Sequence, residues 1–410
     1  MTELTTVVHD ASEIVVGPGT DAPLEKHEDA ALAVTDGRVA AVGPTEEITD
    51  EYPVENATHA INADGQSVIP GFVDSHTHGL FAGDRSDEFA AKLGGENYQD
   101  ILAEGGGILR TVRAVREASD DDLLANLLPH LDTMLAHGTT TVEIKSGYGL
   151  DTKTELRMLD VIQRADEQHP IDVVPTFMGA HAVPKESDAE AYTDRMIGEQ
   201  LPEVAEQGTA EFCDVFCEED VFSVEQSRRV LDAGMEHGLT PKVHAEEFVR
   251  LGGAQLAAEM GAASADHLLH ANEDDRTALA EAGVTPVLLP GTAFSLGADY
   301  ADARAFLDDG GTVAVATDFN PNCHSQSMGF AIALACVGMG MTPAEALVAG
   351  THGGARALDR AGETGTLREG MPADVAIIDA PSHIHVPYNF GVNTVETVLK
   401  GGEPVDGGGR

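Results

Sequence analysis

Eight strand-like runs, separated by segments with helical periodicity, constrain the fold of this chain more than any other feature. In segments such as 109–118 and 153–168, apolar residues recur at about every third or fourth position, as on one face of an amphipathic helix. Strands that alternate with helices are typical of parallel sheets with crossover connections, and eight such units predict an α/β fold, a TIM-like (β/α)8 barrel. The runs are 68–75, 139–145, 171–177, 213–217, 240–244, 265–269, 285–289 and 312–317.

The two chain ends have a different pattern from the middle. Near the amino end, Thr35-Asp36-Gly37 separates two apolar runs and is a hairpin signal, with a glycine suited to positive φ. Near the carboxyl end, residues 375–378 and 394–400 are strand-like. We therefore expect both ends to form one small β-sandwich domain beside the barrel. The expected boundaries are 1–66 and 363–410 for the β-domain and 67–362 for the barrel.

The charge of the chain excludes several classes of partner. With 70 Asp and Glu against 24 Lys and Arg, the formal net charge is -46, which would repel nucleic acid and anionic membranes. The acids are spread along the whole chain, so we expect an acidic surface adapted to high salt. No apolar stretch approaches 18 residues and the first 30 residues carry acids, which predicts a soluble, cytoplasmic protein. Its 4 cysteines are interpreted as buried free thiols.

A His-Thr-His sequence ends the first strand-like run. His76 and His78 stand two residues apart, so their imidazoles face the same side of a strand and could bind one ion. This spacing alone is weak evidence. His244 and Asp318 end the fifth and eighth runs, however, and the carboxyl ends of all barrel strands meet at one rim. A lone histidine there is more often structural and a lone aspartate often caps a helix, but four such side chains together predict a metal site.

Three imidazoles and one carboxylate suit zinc or iron equally well. Such a site can leave a position for water, whose pKa falls toward ~7 on zinc. Asp318 could then act as a base as well as a ligand. His267, at the end of the sixth run, is a second acid or base candidate near the same water.

Several of these segments resemble the amidohydrolase superfamily, namely residues 70–78, His244 and Ala316-Thr317-Asp318. The segments 143–150, 179–184 and 317–321 resemble the imidazolonepropionase family in particular, and the similarity spans nearly the whole chain. The resemblance implies a metal-dependent hydrolase that opens the cyclic amide of 4-imidazolone-5-propanoate. The implied product is N-formimino-L-glutamate, in histidine degradation, and the family suggests a homodimer.

The resemblance also implies roles for individual side chains. The implied ligands of one divalent metal per subunit, Zn2+ or Fe2+/Fe3+, are His76, His78, His244 and Asp318. The implied catalytic groups are Glu247, His267 and Asp318. The implied substrate contacts are Arg85, Tyr98, Tyr148, His181, Glu247, Asn320, Asn322 and Cys323.

Physical chemistry supports some of these roles and leaves alternatives open. The planar fork of Arg85 suits a propionate carboxylate, although an ordinary ion pair is an equal possibility. Glu247 could exchange a proton with a ring nitrogen of the substrate, or it could simply be an acid favoured at a helix N-terminus.

Two departures from related sequences bear on the site. The family usually has a glycine and a small hydroxyl residue where this chain has Asn322 and Cys323, whose backbone N–H groups could still bind a carboxylate. Binuclear relatives carry a carboxylated lysine at the end of the fourth strand, but residues 214–218 contain no lysine, which predicts one metal. Lys145, at the end of the second run, is interpreted as a charge or structural partner.

Two other classes of function stay open at this point. Another mononuclear cyclic amidohydrolase or an aromatic deaminase would use the same constellation, and ring opening against ammonia release separates them. A catalytically inactive scaffold on the same fold is the non-enzyme alternative. The presence of all four expected ligands argues against the scaffold.

Overall fold

Two β-sheets organise the residues that the structure, a computed structural model, describes, which are 4–95 and 105–405. The first sheet contains the strands from the chain ends and the second contains the strands of the middle. In chain order the strands are β1 (Leu4–Pro18), β2 (Leu24–Thr35), β3 (Arg38–Pro44), β4 (His59–Asn62), β5 (Ser67–Pro70), β6 (Phe72–Asp74), β7 (Thr139–Lys145), β8 (Asp172–Ala180), β9 (Phe212–Cys217), β10 (Thr240–Ala245), β11 (Ser264–His267), β12 (Thr285–Leu288), β13 (Ala314–Val315), β14 (Val375–Ile378), β15 (Val395–Lys400) and β16 (Glu403–Val405).

Helices alternate with the strands of the second sheet. Several begin with reciprocal capping bonds, such as those between Ser119 and Asp122 and between Ser223 and Gln226. The α-helices are Thr45–Glu51, Ser86–Leu93, Ile108–Glu117, Asp120–Ala136, Thr152–Asp166, Ala189–Arg195, Leu201–Gln207, Val224–Glu236, Gly253–Met260, Glu273–Ala282, Pro290–Leu296, Ala303–Asp308, Met328–Met339, Pro343–Val348, Gly354–Ala357 and His385–Tyr388. A 3₁₀ turn lies at Val54–Asn56, and π-helical segments lie at Met196–Gln200 and Ala349–Gly353. Within 4–95 and 105–405, no helix is both long and apolar enough to cross a membrane.

The strands β6 to β13 form a nearly closed parallel barrel. They follow one another in chain order around the sheet, and each pairs in parallel with the next. The two ends of the sheet meet where Thr77 forms a parallel bridge with Phe319 and where the Asp318 N–H donates to the carbonyl of His76 at 3.0 Å. The predicted (β/α)8 barrel is therefore confirmed. Its closure brings the segment after β6 beside the segment after β13.

Burial explains why these short segments form parallel strands. All seven residues of β7 are buried, and the strands of the barrel contribute Val142, Ile144, Val215 and Val243 to one large core. Strands covered on both faces are typical of parallel sheets flanked by helices. The polar side chains that point into this interior must therefore be paired with each other or with a ligand.

The strands from both chain ends form one continuous sheet, in the order β16-β15-β14-β5-β1-β2-β3 with β4 beside β1. Arg38 pairs with Pro372, so the sheet curls back on itself around a core of its own that includes Leu32, Val375 and Leu399. The β-domain expected from the two chain ends is confirmed. A sandwich was expected, and the structure forms its layers from one sheet that curls back on itself.

The structure corrects one expectation about the first strand-like run. Residues 68–75 were expected to be a single strand, but β5 belongs to the end sheet and only β6 belongs to the barrel. Gly71 lies at the change of sheet, and a Cβ atom there would stand 2.2 Å from Oγ1 of Thr140. The close approach to Thr140 leaves room only for glycine.

Candidate metal centre and active site

Four predicted metal ligands converge at the rim where the carboxyl ends of the barrel strands meet. His76 and His78 follow β6, His244 lies on β10, and Asp318 follows β13. Nε2 of His78 lies 3.4 Å from Nε2 of His244, and Oδ1 of Asp318 lies 3.6 Å from Nε2 of both His76 and His78. None of the four side chains is more than 4% exposed. The donor atoms therefore surround one small buried volume.

This arrangement fits a divalent metal ion. The Nε2 atom of His76 is buried and has no hydrogen-bond partner among the residues described. A buried polar atom without a partner is costly, so such an atom suggests a ligand. The ligand atoms of His76, His78 and His244 lie within 4.8 Å of one another, as do those of His76, His267 and Asp318. Imidazole and carboxylate donors at this spacing suit zinc or iron.

Two carboxylates behind the histidines fix the orientation of their rings. Nδ1 of His76 lies 2.7 Å from Oδ2 of Asp266, and Nδ1 of His244 lies 3.1 Å from Oδ1 of Asp214. A carboxylate that accepts from Nδ1 leaves Nε2 available to a metal. Burial lowers the pKa of His76 well below its usual value, which favours the neutral ring that metal binding requires.

A buried layer of charges lies beneath these carboxylates. Nζ of Lys145 lies 2.7 Å from Oε2 of Glu143, 2.7 Å from Oδ2 of Asp214 and 3.9 Å from Oδ2 of Asp266. Nζ of Lys242 lies 3.2 Å from Oε1 of Glu143. All five side chains are fully buried. Burial alone would lower the pKa of Lys145, but the three carboxylates raise it above its ordinary value, so the ammonium stays charged.

Asp214 and Asp266 were not predicted from the sequence to belong to the site. Each is a fully buried carboxylate on a barrel strand, a rare position for an unpaired acid. That rarity was the available signal, because acids within apolar strands are usually paired or functional.

Asp318 is held in a constrained position. Its Oδ2 accepts a hydrogen bond from the Thr292 hydroxyl, and its Oδ1 accepts one from Nδ2 of Asn320 at 3.2 Å. Its backbone φ of 51° lies in the left-handed region, which non-glycine residues rarely adopt and which is common at functional sites. Burial raises the pKa of Asp318 above its usual value.

His267 and Glu247 lie together beside the metal candidates. Nε2 of His267 is 3.7 Å from Oε2 of Glu247, and its ring centroid is 5.1 Å from that of His244. Burial, with smaller contributions from Asp318 and Glu218, raises the pKa of Glu247 well above its usual value. The three predicted catalytic groups are therefore brought to one place.

Two of the predicted substrate contacts pack against the metal candidates. The His181 ring stacks on the His78 ring with centroids 4.7 Å apart, and the centroid of the Tyr148 ring lies 5.2 Å from that of His181. Nδ1 of His181 lies 3.0 Å from the carbonyl oxygen of Gly147, and burial is the main reason that the pKa of His181 falls to about 3. The ring is therefore neutral at pH 7. Burial raises the pKa of Tyr148, so its hydroxyl keeps its proton and can donate.

Arg85 lies at the start of the helix Ser86–Leu93, and its Nε donates to Glu88 at 2.9 Å. The ion pair considered for this arginine is therefore present. A bond through Nε is compatible with binding of a carboxylate by the terminal nitrogens. Tyr98 lies outside the described residues, and its role stays a prediction.

The loop after Asp318 is bonded within itself. Oδ1 of Asn320 accepts from the N–H groups of Asn322 at 2.7 Å and Cys323 at 3.0 Å, so the amides expected to bind a carboxylate have a partner. Oδ1 of Asn322 accepts from Nζ of Lys92 at 2.6 Å, and Cys323 is buried. Contact of these three residues with substrate stays a prediction.

Comparison with solved structures supports the fold. An adenosine deaminase from Xanthomonas campestris with bound zinc matches with a TM-score of 0.75 at 18% identity, over 98% of this chain and 92% of that one. A guanine deaminase from E. coli matches with a TM-score of 0.73 at 16% identity, over 98% of both chains. At such identities the likeness extends to the fold alone.

Comparison with sequences identifies the family. A model of the amidohydrolase family matches residues 67–405, and one of an imidazolonepropionase-like composite domain of bacteria matches residues 30–53. The imidazolonepropionase of Haloarcula marismortui is 69% identical over 99% of this chain and 97% of its own. That of Halobacterium salinarum is 64% identical over the full length of both, and that of Alkaliphilus metalliredigens is 46% identical over 98% of both. With the barrel and its rim of metal donors, these matches show that the chain belongs to the imidazolonepropionase family of amidohydrolases.

Proposed function

We propose that this enzyme hydrolyses the cyclic amide C–N bond of 4-imidazolone-5-propanoate and releases N-formimino-L-glutamate, a step of histidine degradation. Imidazolonepropionases that are 46% to 69% identical along nearly the whole chain support this substrate. The single observation that carries the chemistry is the convergence of His76, His78, His244 and Asp318 in one buried volume.

One divalent ion per subunit, zinc or iron, would be held by His76, His78, His244 and Asp318. When bound, such an ion lowers the pKa of a water molecule and polarises a carbonyl group. Asp266 and Asp214 keep Nδ1 of His76 and His244 engaged, so that Nε2 of each ring faces the ion. The convergence of the four donor atoms supports this ligand set.

Asp318 and Glu247 would divide the proton transfers between them. Asp318, held in place by Thr292 and Asn320, would orient the attacking water and accept its proton at a carboxylate oxygen. Burial raises the pKa of Glu247 well above its usual value, which favours its protonated form, and Glu247 would deliver this proton to the leaving ring nitrogen. His267, 3.7 Å from Glu247, is the alternative donor and acceptor for the same proton.

Residues around this centre would orient the substrate. The terminal nitrogens of Arg85 would bind the propionate carboxylate in a bidentate manner, with Tyr98 beside it. Tyr148 and His181, which pack next to His78, would hydrogen-bond the ring. Asn320, Asn322 and Cys323 form the loop beside Asp318 and would complete the pocket.

The decisive assay follows the ultraviolet absorbance of imidazolonepropanoate with purified enzyme, before and after treatment with a chelator. We expect ring opening without release of ammonia, loss of activity with the chelator, and recovery when Zn2+ or Fe2+ is returned. Ammonia release in place of ring opening would identify a deaminase. Absence of turnover in the metal-loaded protein would favour the inactive scaffold.

We also propose that the enzyme is adapted to high salt. The excess of 70 acids over 24 bases leaves the folded chain under strong self-repulsion, which concentrated cations screen. The free energy of unfolding, measured by denaturant titration, should therefore rise from low to molar KCl. A stability that does not change over this range would refute the adaptation.

A homodimer is the oligomeric state that we propose. Large apolar side chains are exposed on neighbouring helices and the segment after them, with Phe294 at 58%, Tyr388 at 75% and Phe390 at 65%. The helices that carry Phe294 and Tyr388 both pack on the helix Met328–Met339. Exposed apolar patches of this kind are typical of protein interfaces. Light scattering in molar KCl should give the mass of two chains.

A further inference from the structure

We propose that Lys145 fills the position of a second cation inside the barrel and so limits the centre to one metal ion. The inference rests on the metal site proposed above. It concerns a different set of atoms, namely those on the far side of the histidines from the catalytic water.

A second group of metal donors lies directly beneath the first. The ligand atoms of Asp214, His244 and Asp266 lie within 4.8 Å of one another, and all three side chains are buried. His244 stands between the two positions, because its Nδ1 lies 3.1 Å from Asp214 and its Nε2 lies 3.4 Å from Nε2 of His78. A histidine can offer either ring nitrogen to a metal, and to bind both ions at once His244 would release its Nδ1 proton to solvent and bridge them as an imidazolate.

The ammonium group of Lys145 occupies this second position. It lies 2.7 Å from Oδ2 of Asp214 and 3.9 Å from Oδ2 of Asp266, which are oxygens that an ion would need. It also lies 2.7 Å from Oε2 of Glu143, so three carboxylates surround it. A second ion would have to displace a buried and ion-paired lysine.

The charge balance of the interior favours a cation in this position, and its location between Asp214 and Asp266 makes Lys145 that cation. Three carboxylates, Glu143, Asp214 and Asp266, face two ammonium groups, Lys145 and Lys242. Without Lys145 the interior would hold three acids against one base, and uncompensated buried charge is strongly unfavourable. A divalent cation would restore the balance, and carboxylate and imidazole are its natural ligands.

Exclusion of a second ion also protects the first site. Asp214 and Asp266 accept hydrogen bonds from Nδ1 of His244 and His76 and so aim Nε2 of each ring at the catalytic position. An ion bound to these carboxylates would withdraw them from the rings. Lys145 is therefore a positioning residue that lets both acids keep their bonds to the histidines.

The test is a zinc titration of chelator-treated protein by calorimetry, with bound zinc counted by mass spectrometry. The parent enzyme should bind about one equivalent and Lys145→Met about two, because the variant exposes a second complete set of donors. Lys145→Arg, which keeps the charge, should bind about one. Lys242→Met is the matched control, because it removes the same buried charge next to Glu143 but leaves the ammonium of Lys145 beside Asp214 and Asp266. It should therefore also bind about one equivalent.

If a variant is too unstable for calorimetric titration, its unfolding temperature can be measured at increasing zinc concentrations instead. Zinc beyond the first equivalent should raise the unfolding temperature of Lys145→Met and leave that of Lys242→Met unchanged. A folded Lys145→Met protein that binds only one equivalent of zinc would overturn the inference, as would binding of a second equivalent by Lys242→Met. A Lys145→Met protein whose folding is not restored at any zinc concentration would also overturn it. A parent enzyme that binds no zinc or iron would instead refute the proposed metal site itself.

Discussion

Replacement of Asp318 by asparagine should lower the turnover number by about 10²-fold or more, the usual cost of losing a positioned base. Asparagine keeps the shape of the side chain and, through its amide oxygen, can still accept the bond from Asn320, but it cannot accept the proton of the attacking water. Three imidazoles would still be present to bind metal. The measurement is the initial rate at saturating substrate, with the metal content of the same sample determined alongside.

Asp74→Asn is the matched control for this variant. Asp74 is another buried carboxyl group at the same end of the barrel, and it accepts from the backbone N–H of Thr317 at 3.0 Å and from its hydroxyl at 2.6 Å. Burial raises the pKa of Asp74 to about 7, so an uncharged group is tolerated there. The control should keep turnover within a few-fold, whereas a fully active Asp318→Asn enzyme with normal metal content would disprove the role of Asp318 as base.

Replacement of His244 by alanine should reduce metal affinity by more than about 100-fold and abolish measurable turnover. Residues that merely support metal ligands cost about 10-fold to 100-fold when they are changed, and His244 is proposed to be a ligand itself. Its removal also leaves Oδ1 of Asp214 without the hydrogen bond that it accepts from Nδ1 of His244. Metal content after dialysis and the rate of ring opening measure the two effects.

His270→Ala is the control for His244→Ala. His270 follows β11 at the same rim, but its side chain is exposed and it is not among the proposed ligands or catalytic groups. This variant should keep both metal and activity. Normal metal content in His244→Ala would contradict the proposed ligand set, whatever its activity.

Much of the barrel could be predicted from the sequence because burial and periodicity are local signals. Each of the eight apolar runs contains a strand, and the carboxyl ends of parallel strands must share a rim. That geometry alone predicted that His76, His244 and Asp318 would meet. The change of sheet at Gly71 was not visible, because the apolar run continues without interruption on both sides of it.

The layer behind the histidines depends on strand register, which the sequence does not specify. In the structure β10 places Lys242 beside Asp214 and His244 beside Asp266. A shift of one residue would have turned every one of these side chains to the other face of its strand. Asp266 and Asp214 can therefore be identified as the partners of His76 and His244 only from the three-dimensional structure.

The loop after Asp318 shows a different limit. Its asparagines suggested substrate contacts, yet Asn320 binds the backbone of its own loop. Short amide side chains readily bond to nearby backbone groups, and residue type alone does not distinguish that role from recognition of a ligand.

Anomalous diffraction from crystals of the active enzyme, recorded at the zinc and iron absorption edges, would locate the metal ion. We expect a single strong peak per subunit, enclosed by Nε2 of His76, His78 and His244 and by the carboxylate of Asp318. An active enzyme with no peak among these four side chains, or with its metal bound elsewhere, would contradict the proposed metal site.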